Sequence, residues 1–181
     1  MELYKVRYEA LSLLGEQSRA GTIELLYGDE SSVSEVGYLP YGWQFKDESV
    51  SIEVVKGQRL NCFGLISRQS HLHFATTSSS ITAAFVVNQL EELSWQLTKP
   101  TVVVLDNACI HTADKVRQRL TDWQQRGLYL FYLPPYSAHL NLAERLCRAD
   151  FYGSNKGWRI FFVIFFTPLD HRIDPMNEFV S

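Results

Sequence analysis

Thr101-Val102-Val103-Val104-Leu105-Asp106-Asn107-Ala108-Cys109-Ile110-His111 is the stretch that decides the fold. Its first five residues are β-branched or apolar, with no alternation. Such a run predicts a central strand covered on both faces, because a half-exposed strand alternates polar and apolar residues. Asp106 then ends that strand. A carboxylate beside a doubly covered strand is costly unless it is paired or metal-bound. The carboxyl ends of strands in open α/β sheets are also where ligands gather. The plainer alternative is an aspartate that caps the following turn through Asn107.

Downstream, Thr112 can cap a helix whose inner face is Ala113, Val116, Leu120 and Trp123, closed by Gly127. Leu128 to Leu133 reads as another apolar strand, stopped by Pro134-Pro135 because proline cannot donate to a ladder. Asn141 begins a further helix. Upstream, Ala83, Val86, Leu90, Leu93 and Leu97 recur at helical spacing after the N-cap candidates Ser78-Ser79-Ser80, and Pro100 ends that helix.

Arg59 to Ser67 and His71 to Thr77 predict a strand pair, and Val50 to Val54 alternates like a half-buried strand. Residues 31–46 carry Gly37, Pro40 and Gly42 and read as loop, within which Trp43 packs as core. Thr22 to Tyr27 is a short strand that Gly28 stops. Leu3, Val6, Ala10 and Leu13 are expected to form the inner face of an amphipathic helix ending near Gly15 or Gly21. From the first strand the order is three strands, helix, strand, helix, strand, helix. That is a mixed α/β sheet with helices on its faces.

The bulk properties exclude several classes. The 181 residues suffice for one domain with a real core. A net charge of −3 leaves no global basic footprint of the kind that grips phosphates, so any strong hold on DNA is expected from elsewhere. Cys62, Cys109 and Cys147 form no Cys-x-x-Cys pair, which argues against structural zinc and for reduced thiols in a cytosol. Cys109 is expected to be a buried small hydrophobe. No apolar stretch reaches the roughly 18 residues of a membrane span. His71 and His73 share a strand face with no evident third ligand and read as surface residues.

Three acidic residues stand on three separate elements. Asp29 follows the first strand in Leu25-Leu26-Tyr27-Gly28-Asp29-Glu30-Ser31. Asp106 follows the central one. Glu144 lies in Leu133-Pro134-Pro135-Tyr136-Ser137-Ala138-His139-Leu140-Asn141-Leu142-Ala143-Glu144. Hard divalent cations take oxygen ligands, and two-metal phosphoryl-transfer sites are assembled from such carboxylates. Glu30 competes with Asp29, but strand alternation points the two to opposite faces. Glu144 also fits a capping box, three residues after Asn141. His111 has a structural reading beside a functional one.

At these residues the chain resembles the catalytic domain of bacterial insertion-sequence transposases of the mariner-like DDE superfamily. The resemblance runs from about Tyr27 to Arg148. It rests on Asp-Glu-Ser after an apolar run, Asp-Asn-x-x-x-His, and Leu-Pro-Pro-Tyr-Ser-x-x-Leu-Asn-x-x-Glu.

The resemblance implies an α/β, RNase H-like fold. It implies metal-dependent phosphodiester cleavage and strand transfer by Asp29, Asp106 and Glu144 holding two Mg²⁺ or Mn²⁺ ions. Asn107, His111 and Asn141 are the candidates for contacting substrate. The implied partners are DNA (terminal inverted repeats and target DNA) and a second copy or a full-length transposase, in the cytoplasm. The expected organisation is a leading helix and linker over 1–21, a catalytic domain over 22–150, and a divergent tail over 151–181.

Relatives carry a helix-turn-helix region before the catalytic domain and extend the last helix past the glutamate. Here one helix precedes the first strand, and Trp158 to Phe166 is an apolar run with one charge. The expectation is therefore a truncated domain. The alternatives are an inactive remnant that only associates with intact transposase, and a stand-alone nuclease on the same fold.

Overall fold

The computed structural model describes residues 2–34 and 59–144. The chain divides into two units, Met1–Arg145 and Leu146–Ser181, and the second lies outside the described residues. So do Trp43, Cys147, the expected strand at Val50 to Val54 and the tail from 151.

The described part is a five-stranded sheet with helices on both faces. The elements in chain order are α1 (Glu2–Arg19), β1 (Glu24–Ser34), β2 (Arg59–Ser67), β3 (Leu72–Thr77), α2 (Ala83–Trp95), β4 (Thr101–Leu105), α3 (Asp114–Arg117), α4 (Leu120–Gln125) and β5 (Leu128–Tyr132). A short 3₁₀ turn follows at Ala138–Leu140. The strand order is β3-β2-β1-β4-β5. β1 pairs antiparallel with β2, and β2 with β3, while β4 lies parallel between β1 and β5.

As its composition requires, β4 is buried along its whole length. Val103 and Leu105 face one core with Leu26, Phe63, Leu65, Val86, Leu90, Val116 and Trp123. Val102 and Val104 face the other with Leu11, Leu25, Tyr27, Leu133 and Ala143. Each fully buried aliphatic side chain here contributes about 1.5–3 kcal/mol relative to exposure.

Several local expectations are corrected. β1 does not stop at Gly28 but runs through it to Ser34. The glycine is there for packing. A Cβ on Gly28 would lie 2.6 Å from Leu105 Cδ2 and 2.8 Å from Leu65 Cδ2, so its absence lets both leucines close over the strand.

α1 presents a different face to the sheet. Leu11 and Ser18 are buried and Leu14 packs beside them, whereas Leu3, Val6 and Leu13 are 60%, 57% and 61% exposed. The helix carries two apolar stripes, and the sheet selects one. α2 is capped by Thr82, whose hydroxyl accepts from Phe85 N–H at 3.3 Å, rather than by Ser78 to Ser80. The helix after β4 is broken into α3 and α4. Val116 and Trp123 still bury fully, but the Thr112 hydroxyl donates to the Ala108 carbonyl instead of capping α3. Cys62 is buried as a small hydrophobe, but Cys109 is exposed.

Candidate active site

The parallel register fixes the geometry. Leu25 pairs with Val102 and Tyr27 with Val104. Two residues further along β1, strand alternation puts Asp29 on the α1 face of the sheet, and Asp106 follows the end of β4, near enough for its charge to act on Asp29. Asp29 is therefore not at a strand end, as expected. It sits within β1, opposite Gly64 of β2 and just past the last β1–β4 pair.

Glu144 arrives from the chain after β5. Asn141 fixes it there. Its Nδ2 donates to the Gly28 carbonyl at 2.9 Å, and its Oδ1 accepts the Ala143 N–H at 3.0 Å. One buried side chain thus caps the turn that carries Glu144 and ties it to the residue before Asp29. The Asn141 N–H itself bonds to the Ala138 carbonyl. Tyr136 takes a left-handed backbone, φ 58°, in the rigid lead-in.

The electrostatics record the convergence. Burial pushes the Asp29 carboxyl up, and the charge of Glu30 pushes it further. The Glu30 N–H bonded to Asp29 opposes this at 2.9 Å, and the charges of Glu144 and Asp106 add to the rise, which reaches about 7. Asp106 moves the other way. Its bond from His111 lowers it most, partial burial opposes, and the Ala108 N–H at 3.0 Å lowers it further.

His111 is fully buried, with Nδ1 2.8 Å from Asp106 Oδ1 and Nε2 2.6 Å from Glu30 Oε1. Burial alone would lower its pKa, but the bonds to Asp106 and Glu30 outweigh that and raise it to about 9.

The three residues expected to contact substrate are thus occupied within the protein. His111 has both ring nitrogens bonded to carboxylates, Asn141 uses both ends of its amide, and Asn107 Nδ2 donates to the Leu133 carbonyl. Asn107 nevertheless remains exposed, while His111 and Asn141 are buried. Glu30 was missed. Its signal lay in alternation, which put it on the face of Leu26 and Leu105, where a buried histidine needed a second acceptor.

The donor chemistry suits a hard divalent cation: clustered carboxylate oxygens, one of them short of a compensating charge. As the side chains stand, no three His, Cys, Asp or Glu among the described residues are gathered closely enough to hold an ion. A cavity of about 290 Å³ lies between β3 and α2, lined in part by His73, Phe74 and Glu92, and none of the three carboxylates borders it. His71 bonds Glu24 at 2.8 Å. No described helix is long and apolar enough to cross a membrane.

The sequence profile of the DDE superfamily endonucleases matches residues 24–149. The chain belongs to that family. The match spans every element that carries Asp29, Asp106 and Glu144. Solved structures of Mos1 mariner transposase share the fold. This DDE chain aligns with the Mos1 catalytic domain at 15% identity and TM-score 0.53, covering 88% of this chain and 78% of that one. It aligns with the Mos1 paired-end complex with the left transposon end at 16% and 0.53, covering 88% and 52%. Against the Mos1 paired-end complex with Mg the values are 17% and 0.53, covering 92% and 54%. The fold is the RNase H-like mixed sheet of that catalytic domain, as the resemblance implied. The DDE chain spans about half the length of the transposases in those complexes. No curated protein matches it.

Proposed function

We propose that this DDE domain is the catalytic domain of an insertion-sequence transposase, acting by metal-dependent phosphodiester cleavage and strand transfer. The observation that carries the reading is Asp29, a carboxyl held near pKa 7 by burial and by the charges of Glu30, Glu144 and Asp106. Carboxylates are driven together at this cost where a cation is to be bound.

Asp29, Asp106 and Glu144 would hold two Mg²⁺ or Mn²⁺ ions. Such ions activate a water or a DNA 3′-hydroxyl and stabilise the leaving oxygen at phosphorus. The chain's own residues supply placement. The β1–β4 register brings the segment of β1 that bears Asp29 near the end of β4, after which Asp106 follows, and Asn141 ties the turn bearing Glu144 to β1. The substrates would be terminal inverted repeats and target DNA in the cytoplasm, with a second copy or a full-length transposase as protein partner. The catalytic domain is assigned to 22–150, with a leading helix and linker at 1–21 and a divergent tail at 151–181.

A second reading is an inactive remnant that only associates with intact transposase. One observation favours it: no described trio of side chains is close enough to ligate an ion as it stands. Thermal melting against Mn²⁺ concentration separates the two. Stabilisation by a bound ion follows RT ln(1 + [L]/Kd). The catalytic reading expects a rise in Tm that Asp29→Asn, Asp106→Asn and Glu144→Gln each abolish. A Tm indifferent to Mn²⁺ supports the remnant.

A further inference from the structure

His111 sits between two carboxylates without solvent contact. Its ring nitrogens lie 2.8 Å from Asp106 Oδ1 and 2.6 Å from Glu30 Oε1, so one ring bridges the two. The histidine is also held from its other sides. Tyr132 O–H donates to its carbonyl at 2.9 Å, and the Phe63 ring centroid lies 6.2 Å away. Asp106 Oδ1 takes the His111 bond together with the Ala108 N–H. That oxygen is committed to the protein. Oδ2 has no hydrogen-bond partner among the described residues. A carboxylate with one oxygen fixed twice cannot swing, so the direction of the other is fixed with it.

We infer that Glu30 and His111 are positioning residues for Asp106: Glu30, from β1, grips the far nitrogen of His111, and the ring pins Oδ1 so that Oδ2 is left to face a divalent cation. The inference rests on the proposed reading of Asp106 as a metal ligand. Its physical basis is a bond chain that links β1 to the residue after β4. Asp29 lies on the α1 face, and Asp106 follows the end of β4. Glu30 comes from the opposite face of β1 and reaches Asp106 through one buried ring. The chain therefore joins the two aspartate-bearing strands where their own ladder has ended at Tyr27 and Val104. Groups that orient a ligand in this way typically change metal affinity 10–100-fold when removed.

The test is Mn²⁺ affinity of the full chain, read from the free-ion electron paramagnetic resonance signal. Wild type, Asp106→Asn, Glu30→Gln and Glu30→Ala are compared. Glu30→Ala is expected to weaken Mn²⁺ binding by about 10-fold or more. Glu30→Gln keeps an acceptor oxygen at the same reach and should recover most of that loss. Unchanged affinity in Glu30→Ala overturns the inference. If Asp106→Asn still loses the ion, it does so with the metal site intact. A wild type that binds no Mn²⁺ overturns both the site and the inference.

Discussion

Glu91 and Asp29 are both carboxylates on the packed elements of this domain, and their surroundings drive them in opposite directions. Glu91, on α2, accepts from Arg119 at 2.7 Å, Arg126 at 2.6 Å and Trp123 Nε1 at 2.9 Å. The Arg119 bond holds its carboxyl down most strongly, partial burial opposes, and Arg126 and Trp123 lower it further, to about 2. Arg126 in turn lies 3.7 Å from the Trp95 ring. Asp29 has acids for neighbours and stands near 7. The first arrangement is complete without anything else and locks α2 to α4. The second is complete only with a cation or a proton. Both shift a pKa strongly, so the shift alone does not mark a functional site; its sign and its neighbours do.

The largest expected effect lies at Asp29. Its folded pKa is raised above the ordinary carboxyl value, so the folded state binds the extra proton. Without metal, stability should fall as pH rises from about 4 to about 7, by up to about 4 kcal/mol. Asp29→Asn should remove that slope and be the more stable protein at pH 8. Urea unfolding in chelator across this range checks both, and a flat wild-type profile would dissolve the contrast with Glu91.

Gly28→Ala comes next. It adds a methyl 2.6 Å from Leu105 Cδ2 and 2.8 Å from Leu65 Cδ2. Overpacking of this kind costs about 2 kcal/mol. It should also disturb the neighbouring Asp29, so lowered Tm and lowered Mn²⁺ affinity are expected together. A variant that melts like wild type would mean that the leucines yield without strain.

Glu91→Gln should cost about 1 kcal/mol at pH 7, because charge-assisted bonds become neutral ones. The sign with pH is opposite to that of Asp29. The Glu91 carboxyl is depressed, so its contribution is present above about 4.5 and lost as pH falls toward about 2. Wild type and variant should therefore converge in acid. Curves that stay parallel would remove Glu91 as the cause.

The smallest effect is expected outside both regions. Leu13→Lys on the exposed stripe of α1 should change stability by less than about 0.5 kcal/mol. Leu11→Ala on the buried stripe should cost about 2 kcal/mol or more. The reverse ranking would restore the inner face that helical periodicity alone suggests.

α1 shows where periodicity stops being informative. Leu3, Val6, Ala10 and Leu13 and the alternative stripe through Leu11 and Leu14 both repeat at helical spacing. Only contact with the sheet chooses between them. β4 is the opposite case. A threonine and four apolar residues without alternation have one stable place, the covered centre of a parallel sheet, and the strand spans the residues its composition predicts.

The sequence by itself determined the central strand and the family motifs, because these follow from local composition and short spacing. Tertiary structure alone decided what surrounds each carboxylate. The β1–β4 register spans more than seventy residues and brings the segments bearing Asp29 and Asp106 together. The contacts of Asn141 with Gly28 and of His111 with Glu30 reach across 113 and 81 residues. Such contacts leave no local pattern. Asn141, Asn107 and His111 look alike in sequence whether they face solvent or the protein. For His111 and Asn141 what decides is burial, which leaves each polar atom needing a partner and allows only the partners the fold brings near.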